Sequence, residues 1–312
     1  MKVIVTGGAG FIGSSFINHL KENYEVEIVC VDKMTYCANK ENIKYPVEFI
    51  EKDIIDVTSE DLGEFDYIVN FAAETHVDNS IADGKPFIKS NVEGVFNLLE
   101  ISRKNPSLKK FVQISTDEVY GDIRDYGVNI IADEKFQLKP SSYYSSTKAA
   151  ADLLVESANK TYGLPYLITR TCNNYGDHQF KEKFLPKIHN CILNNLEIPI
   201  YGDGNHTREW IWVEDNVRFI SILMFEKEVI NEVVNIGSGI KYSNNNIISM
   251  IQKNVSKTSV KLKYVEDRLG HDRLYSLDSN KLRGILKKSG HPYSVKHILD
   301  YFSKKYDKDN LQ

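Results

Sequence analysis

Along the first half of the chain, short β-branched runs alternate with longer stretches of helical period. "KVIV", "EIVCVD", "VEFI", "DYIVNFAA", "KKFVQIST" and "PYLITR" are apolar along nearly their whole length. Strands of that kind are buried on both faces. The segments between them repeat their apolar residues at helical spacing. The pattern Phe11, Ser15, Ile17, Leu20 marks one such segment after the first strand. Ile88, Val92, Val95 and Leu99 share one helical face after Pro86, and a helix is expected from about Tyr144 to Tyr162. This rhythm predicts an α/β fold, a doubly wound parallel sheet with helices on both faces.

The alternation holds over residues 1–171 and loosens over 172–312, where "NNYGDHQF" and "IYGDGNHTREW" read as polar, aromatic-containing loops. The second part is expected to form a smaller mixed α/β lobe, with some segments returning to the main sheet. The charged end "KKYDKDNLQ" is expected to fray.

Composition narrows the class without naming it. The 312 residues carry a formal net charge of -4 and no basic stripe, which argues against nucleic acid as a partner. No apolar stretch is long enough to cross a membrane, and the start "MKVIVTGG" leaves no room for a leader before the first strand. Cys30, Cys37, Cys172 and Cys191 lack metal-binding spacing, so no metal site is expected. A cytoplasmic protein follows as the expectation.

Candidate chemistry begins in the first turn. "TGGAGFIG" places Gly7, Gly10 and Gly13 between strand and helix, with Phe11 and Ile12 opening the helix. Glycines at such a junction allow a tight turn, a close approach to a pyrophosphate and close helix–sheet packing. The helix N-terminus supplies the N–H groups. Asp32 ends the second strand, where a carboxylate accepts from ribose hydroxyls and disfavours a 2′-phosphate; the adjoining Lys33 partly offsets that preference. Together they define a Rossmann-like site for NAD. Asp53 and Ile54, after the third strand, fall where an adenine edge could bind.

"YYSSTKAAADLL" sets Tyr144 and Lys148 one helical turn apart on a common face, whereas Tyr143 is five residues from Lys148 and points elsewhere. A lysine ammonium and a positive nicotinamide would favour the phenolate, the form that takes a proton from an alcohol. Just before this helix, "STDE" ends an apolar strand with two adjacent carboxylates, Asp117 and Glu118.

With these motifs in place, the chain resembles the extended short-chain dehydrogenases/reductases, and among them the dTDP-glucose 4,6-dehydratases. "AAETHVDNSI", "STDEVYGD", "NNYGDHQFKEKFLP", "PIYGDGNHTREWIWVED" and "EDRLGHDRLYSLD" carry the resemblance over nearly the whole length. It implies that Glu118 removes the C5 proton of a hexose oxidised at C4, and that Asp117 protonates the departing 6-hydroxyl. Thr116 and Tyr144 would hold the 4-hydroxyl, and the hydride stored on NAD would return to C6. Ala72 would join the cofactor contacts. Asn174, Lys183, Arg208, Asn235, Arg268 and His271 would hold the nucleotide's phosphates and ribose, with Pro199 and Tyr201 as the wall for the base. A homodimer joined through the Tyr144–Tyr162 helix and the helix after Pro86 is likewise implied.

Five positions depart from the family's usual pattern: Leu269 for proline, Glu209 for aspartate, Cys37 and Ala38 for Ala-Gly, and Asn79 for arginine. They leave the base (thymine or uracil) and the C2 substituent (hydroxyl or acetamido) open. A UDP-N-acetylglucosamine 4,6-dehydratase, with or without 5-epimerisation, stays beside the dTDP- or UDP-glucose enzyme. A nucleotide-sugar 4-epimerase and a non-catalytic dinucleotide-binding protein are the more distant alternatives.

Overall fold

The computed structural model describes residues 1–255 and 261–305. The fraying end expected over residues 304–312 lies, from residue 306 onward, outside them. Twelve strands are described: β1 (Lys2–Thr6), β2 (Glu27–Asp32), β3 (Glu48–Glu51), β4 (Tyr67–Asn70), β5 (Lys110–Thr116), β6 (Tyr166–Thr171), β7 (Asn173–Tyr175), β8 (Glu197–Tyr201), β9 (Thr207–Trp212), β10 (Glu232–Ile236), β11 (Lys241–Ser243) and β12 (Lys261–Val265). Seven of them form one parallel sheet in the order β10-β6-β5-β4-β1-β2-β3. The order reverses beside β1, between β2 and β4. Open α/β sheets bind ligands at such a point, beyond the C-terminal strand ends.

The six apolar runs read from the sequence all contain strands of this sheet, because parallel strands covered on both faces leave no polar alternation to hide them. One face packs against the helices Phe11–Asn23 and Val213–Phe225, through Phe16, Ile17, Leu20, Val217, Ile220 and Leu223. The other packs against Gly94–Ser102 and Tyr143–Tyr162, through Val95, Leu98, Leu99, Ala151 and Val155. Strand β10, from the second half of the chain, pairs with β6 and completes the sheet.

The remaining strands build the smaller lobe. In one sheet β9 lies between β7 and β11, and in another β8 pairs with β12. Tyr175, Ile188, Ile200, Trp210, Ile251 and Phe302 form a separate core there. The lobe's inner side faces the C-terminal ends of the main sheet, and that placement creates the site.

The apolar face expected after Pro86 is only half right. Val95 and Leu99 are buried, but Ile88 is 47% exposed. The segment runs as Lys85–Ile88, a π-helical Lys89–Glu93 and then Gly94–Ser102. The wider π-turn shifts the phase of the helix, so Ser90 and Asn91 turn inward in place of Ile88. Asn91 uses that position to donate to the Glu74 carbonyl (3.0 Å) and the Thr147 hydroxyl (3.0 Å), and to accept from the Glu74 N–H (2.8 Å).

Candidate active site

Two cavities meet above the sheet. The first, about 310 Å³, is lined by Gly7, Gly10, Phe11, Ile12, Gly13, Asp32, Lys33, Asp53, Ile54 and Ala72, and by Thr116, Asp117, Glu118, Tyr144 and Lys148. The second, about 340 Å³, runs under the smaller lobe past Lys183, Pro199, Tyr201, Arg208, Arg268 and His271. Glu118 and Lys183 belong to both walls.

The glycine turn is built for close approach. Gly7 sits at φ +66°, and a Cβ there would lie 2.5 Å from the Ala72 nitrogen. A Cβ on Gly13 would collide with the Gly7 carbonyl. Gly10 caps the following helix without any side-chain hydrogen bond, so the N–H groups of the first turn stay available to an anion. Asp32 is buried and fixed by the Ala9 N–H (3.0 Å) and the Met34 N–H (2.8 Å). Lys33, expected to offset the preference against a phosphate, is instead paired with Glu74 (3.0 Å) and Asp53 (3.6 Å). An acceptor carboxylate, a neutralised lysine and uncapped helical N–H groups together fit a dinucleotide with a free ribose and a pyrophosphate.

Thr116 ends β5, and the chain turns at once into the 3₁₀ segment Asp117–Tyr120. Adjacent residues of a regular strand point to opposite faces, and the turn lets both carboxylates line the same cavity. The Thr116 hydroxyl accepts from the Glu118 N–H (3.3 Å) and donates to Asp117 Oδ1 (3.2 Å). Their surroundings differ. Burial, Glu118 and Glu209 push the Asp117 carboxyl well above its ordinary range, and its Oδ2 has no hydrogen-bond partner among the described residues. Burial also raises Glu118, but Arg208, Arg268 and Lys183 pull it back. Two neighbouring carboxyls are thereby held apart in acidity, the arrangement that divides acid and base duties.

Tyr144 and Lys148 stand one turn apart on Tyr143–Tyr162, a helix started by a Ser142–Ser145 capping box. Tyr143, the rejected rival, is 62% exposed. The expectation that Lys148 lowers the phenol is not met by the protein groups alone. Burial and the Glu118 charge raise Tyr144, with the Thr116 hydroxyl opposing them. The Lys148 ammonium donates to the Ile114 carbonyl (2.6 Å), and burial brings it down to about 8, which leaves it mostly charged at neutral pH.

In the second cavity the cations are pre-positioned. Arg208 donates to the Asp272 carbonyl (2.7 Å) and lies over the Tyr275 ring (4.3 Å). Arg268 pairs with Asp78 (2.5 Å) and covers Tyr201 (5.2 Å). Lys183 donates to the Thr75 carbonyl (3.1 Å). Two expected contacts fall elsewhere. Asn235 lines neither cavity: it is fully buried on β10, accepting from the Tyr120 hydroxyl (2.8 Å) and donating to the Ala132 carbonyl (3.0 Å). Asn174 borders the first cavity rather than the second, and its amide is engaged with Cys172 and Asn216.

Several site residues were not anticipated. Glu74, Asp78, Glu182, Asp267, Asp272 and His206 act through partners distant in the chain. All six lie inside the quoted stretches "AAETHVDNSI", "NNYGDHQFKEKFLP", "PIYGDGNHTREWIWVED" and "EDRLGHDRLYSLD", which do not show the distant side chain each one meets.

A doubly wound sheet with a glycine-turn cofactor site and a Tyr-x-x-x-Lys pair beside it defines an extended short-chain dehydrogenase/reductase. The chain belongs to the NAD dependent epimerase/dehydratase family, which it matches over residues 3–237, and NAD is its cofactor. It is 43% identical to the low-salt glycan biosynthesis protein Agl12 of Haloferax volcanii, over 91% of this chain and 92% of that one. It is 37% identical to the dTDP-glucose 4,6-dehydratase of Escherichia coli, over 90% and 86% respectively. The crystal structure of DesIV, the dTDP-glucose 4,6-dehydratase of Streptomyces venezuelae, superposes with a TM-score of 0.90 at 34% identity, covering 99% of this chain and 98% of that one, and holds NAD.

Proposed function

We propose that the protein is a nucleotide-hexose 4,6-dehydratase that converts dTDP- or UDP-glucose to the 4-keto-6-deoxy sugar nucleotide for deoxysugar synthesis. The observation that carries this reading is the pair Asp117–Glu118 at the junction of the two cavities, one carboxyl pushed well above its ordinary range by burial and by its neighbour, the other drawn back by three cations. A simple 4-epimerase moves hydride at C4 alone and has no use for such a pair. A dinucleotide sensor has no use for Tyr144 and Lys148 either.

Bound NAD would supply the acceptor for the C4 hydride, the donor that later reduces C6, and a positive ring charge beside the phenol. Tyr144 takes the 4-hydroxyl proton, with Thr116 holding the oxygen and Lys148 keeping a positive charge below. A ketone at C4 acidifies the C5 proton, which Glu118 removes. Asp117, whose carboxyl its surroundings push toward the protonated form, delivers its proton to the 6-hydroxyl and water leaves; Glu118 then returns a proton to C5 as the stored hydride reduces C6. Arg208, Arg268 and Lys183 face the diphosphate; Arg268 must exchange Asp78 for a phosphate oxygen. Pro199 and Tyr201 flank the base.

The two helices expected at a dimer interface pack on each other and expose Ile88, Phe96, Leu153 and Tyr162. Large exposed apolar side chains support a homodimer through this surface. No helix among the described residues is long and apolar enough to cross a membrane. All four cysteines are free thiols, which suits a reducing cytoplasm.

The test is turnover. Incubation with dTDP-glucose, UDP-glucose and UDP-N-acetylglucosamine is expected to yield a 4-keto-6-deoxy product from a glucose nucleotide. Recovery of only the C4 epimer would contradict the proposal. Product from the acetamido sugar alone would instead favour the N-acetylglucosamine dehydratase.

A further inference from the structure

A polar row crosses the buried main sheet. Ser115, Arg170 and Asn235 are neighbours in register on β5, β6 and β10, and all three are buried. The helix Tyr143–Tyr162 lays Asp152 against this row. The Ser115 hydroxyl (3.0 Å) and the Arg170 Nε–H (2.9 Å) both donate to Asp152 Oδ2. Arg170 is itself fixed: its Nη1 donates to the Tyr120 hydroxyl (3.0 Å), which donates in turn to Asn235 (2.8 Å). Asp152 is fully buried, and its Oδ1 has no hydrogen-bond partner among the described residues.

A buried ion pair is a costly way to tie a helix to a sheet. Apolar residues of similar volume often serve as well, and a carboxylate oxygen without a partner adds to the cost. The position of Asp152 on its helix gives it another task. It follows Lys148 by four residues, so the two side chains stand on one face with Cβ atoms about 5–6 Å apart. Lys148 is buried too, and burial disfavours an ammonium. The charged and titratable groups around it are Asp152 on its own helix, Arg170 beyond Asp152 on β6, and Asp117, Glu118 and Tyr144 along the shared cavity. Among them, Asp152 is the one that opposes the effect of burial on Lys148. Arg170, Ser115 and Lys148 in turn favour the ionised form of Asp152 against its own burial.

We propose that Asp152, clamped by Arg170 and Ser115, is a positioning residue that keeps the buried Lys148 protonated. The purpose of that charge rests on the dehydratase reading: hydride leaves C4 only while Lys148 favours the Tyr144 phenolate. Asp152 lines neither cavity and acts through the lysine alone. The row behind it, from Ser115 through Arg170 to Tyr120 and Asn235, keeps the carboxylate ionised and in place.

The test uses two variants. Asp152→Asn removes the charge but strands Arg170. Asp152→Asn/Arg170→Gln removes both charges and keeps two amides that can bond each other, so it serves where the single variant fails to fold. Carbon-13 NMR of ε-labelled lysine in the NAD-loaded protein follows the titration of Lys148, its signal assigned by loss in Lys148→Gln. The Lys148 midpoint is expected to fall by about 1–2 pH units in both variants, the size for charges about 6 Å apart at an effective dielectric constant of about 20. An ammonium is lost as pH rises through its pKa. On the Asp117→Asn background, the alkaline limb of nicotinamide reduction by dTDP- or UDP-glucose should therefore move down by the same amount, with KM unchanged. A purely structural tie would lower the rate at every pH and leave that limb in place. Equal Lys148 midpoints in wild type and the double variant would overturn the proposal. If the midpoint moves but no sugar nucleotide reduces the nicotinamide, the dehydratase reading falls and the Asp152 contact stands.

Discussion

Glycines 7 and 10 line the same cavity, yet replacing each with alanine should fail in different ways. Gly7 has φ +66°, and an added Cβ would stand 2.5 Å from the Ala72 nitrogen and 2.7 Å from its Cα. A left-handed backbone costs an L-residue about 1–2 kcal/mol, and overpacking against rigid backbone adds about 1–3 kcal/mol. Gly7→Ala should therefore lose about 2–5 kcal/mol, or about 3–8 °C in Tm for a chain of this size. Gly10 has an ordinary φ of −76°, and its added Cβ meets only the Gly7 carbonyl at 3.2 Å. Gly10→Ala should keep its Tm to within about 2 °C in the apo protein. It should bind NAD more weakly, because the methyl group enters the space facing the pyrophosphate. Differential scanning fluorimetry with and without NAD, and calorimetric titration of NAD, separate the two effects. A Gly7→Ala protein with wild-type Tm, or a Gly10→Ala protein with unchanged NAD affinity, would refute this account of the turn.

Other consequences can be checked directly. Asp117→Asn and Glu118→Gln should each slow product formation by about 10²–10⁴-fold while C4 oxidation continues, so reduced nicotinamide should accumulate optically. The pH profile of kcat should be bell-shaped: Glu118 must be ionised, so activity is lost as pH falls through its raised pKa, and Asp117 must be protonated, so activity is lost as pH rises through its own. A raised carboxyl pKa stabilises the fold below the unfolded carboxylate range and loses that stabilisation as pH rises through the folded value; Asp117→Asn should accordingly unfold at higher denaturant concentration than wild type at pH 8. Arg170→Met strips the buried Asp152 of its 2.9 Å partner and should cost about 3–5 kcal/mol in a urea titration.

What could be read from the sequence, and what could not, divides by distance along the chain. The sheet was legible because each buried strand is a local apolar run. The glycine turn, Tyr144 with Lys148, and Asp117 with Glu118 were legible because each motif is confined to a few consecutive residues. The phase of the helix after Pro86 was misjudged, since a π-turn at Lys89–Glu93 is invisible to a 3.6-residue period. The motif resemblance expects Asn235 at the ligand, whereas on the buried face of the edge strand β10 its amide is consumed by Tyr120 and Ala132. The pairing of Lys33 with Glu74, of Arg268 with Asp78, and of His271 with His206 through Asp267 each joins separate segments. Only the folded chain brings those partners together.

The central claim is that one hydride leaves C4 and returns at C6 while two carboxyls expel water between those events. The most direct measurement follows deuterium placed at C4 of the glucose nucleotide through turnover in ordinary water. The account predicts a product with deuterium at C6 and solvent hydrogen at C5. Label retained at C4 of a sugar that keeps its 6-hydroxyl, or label lost to solvent, would contradict it.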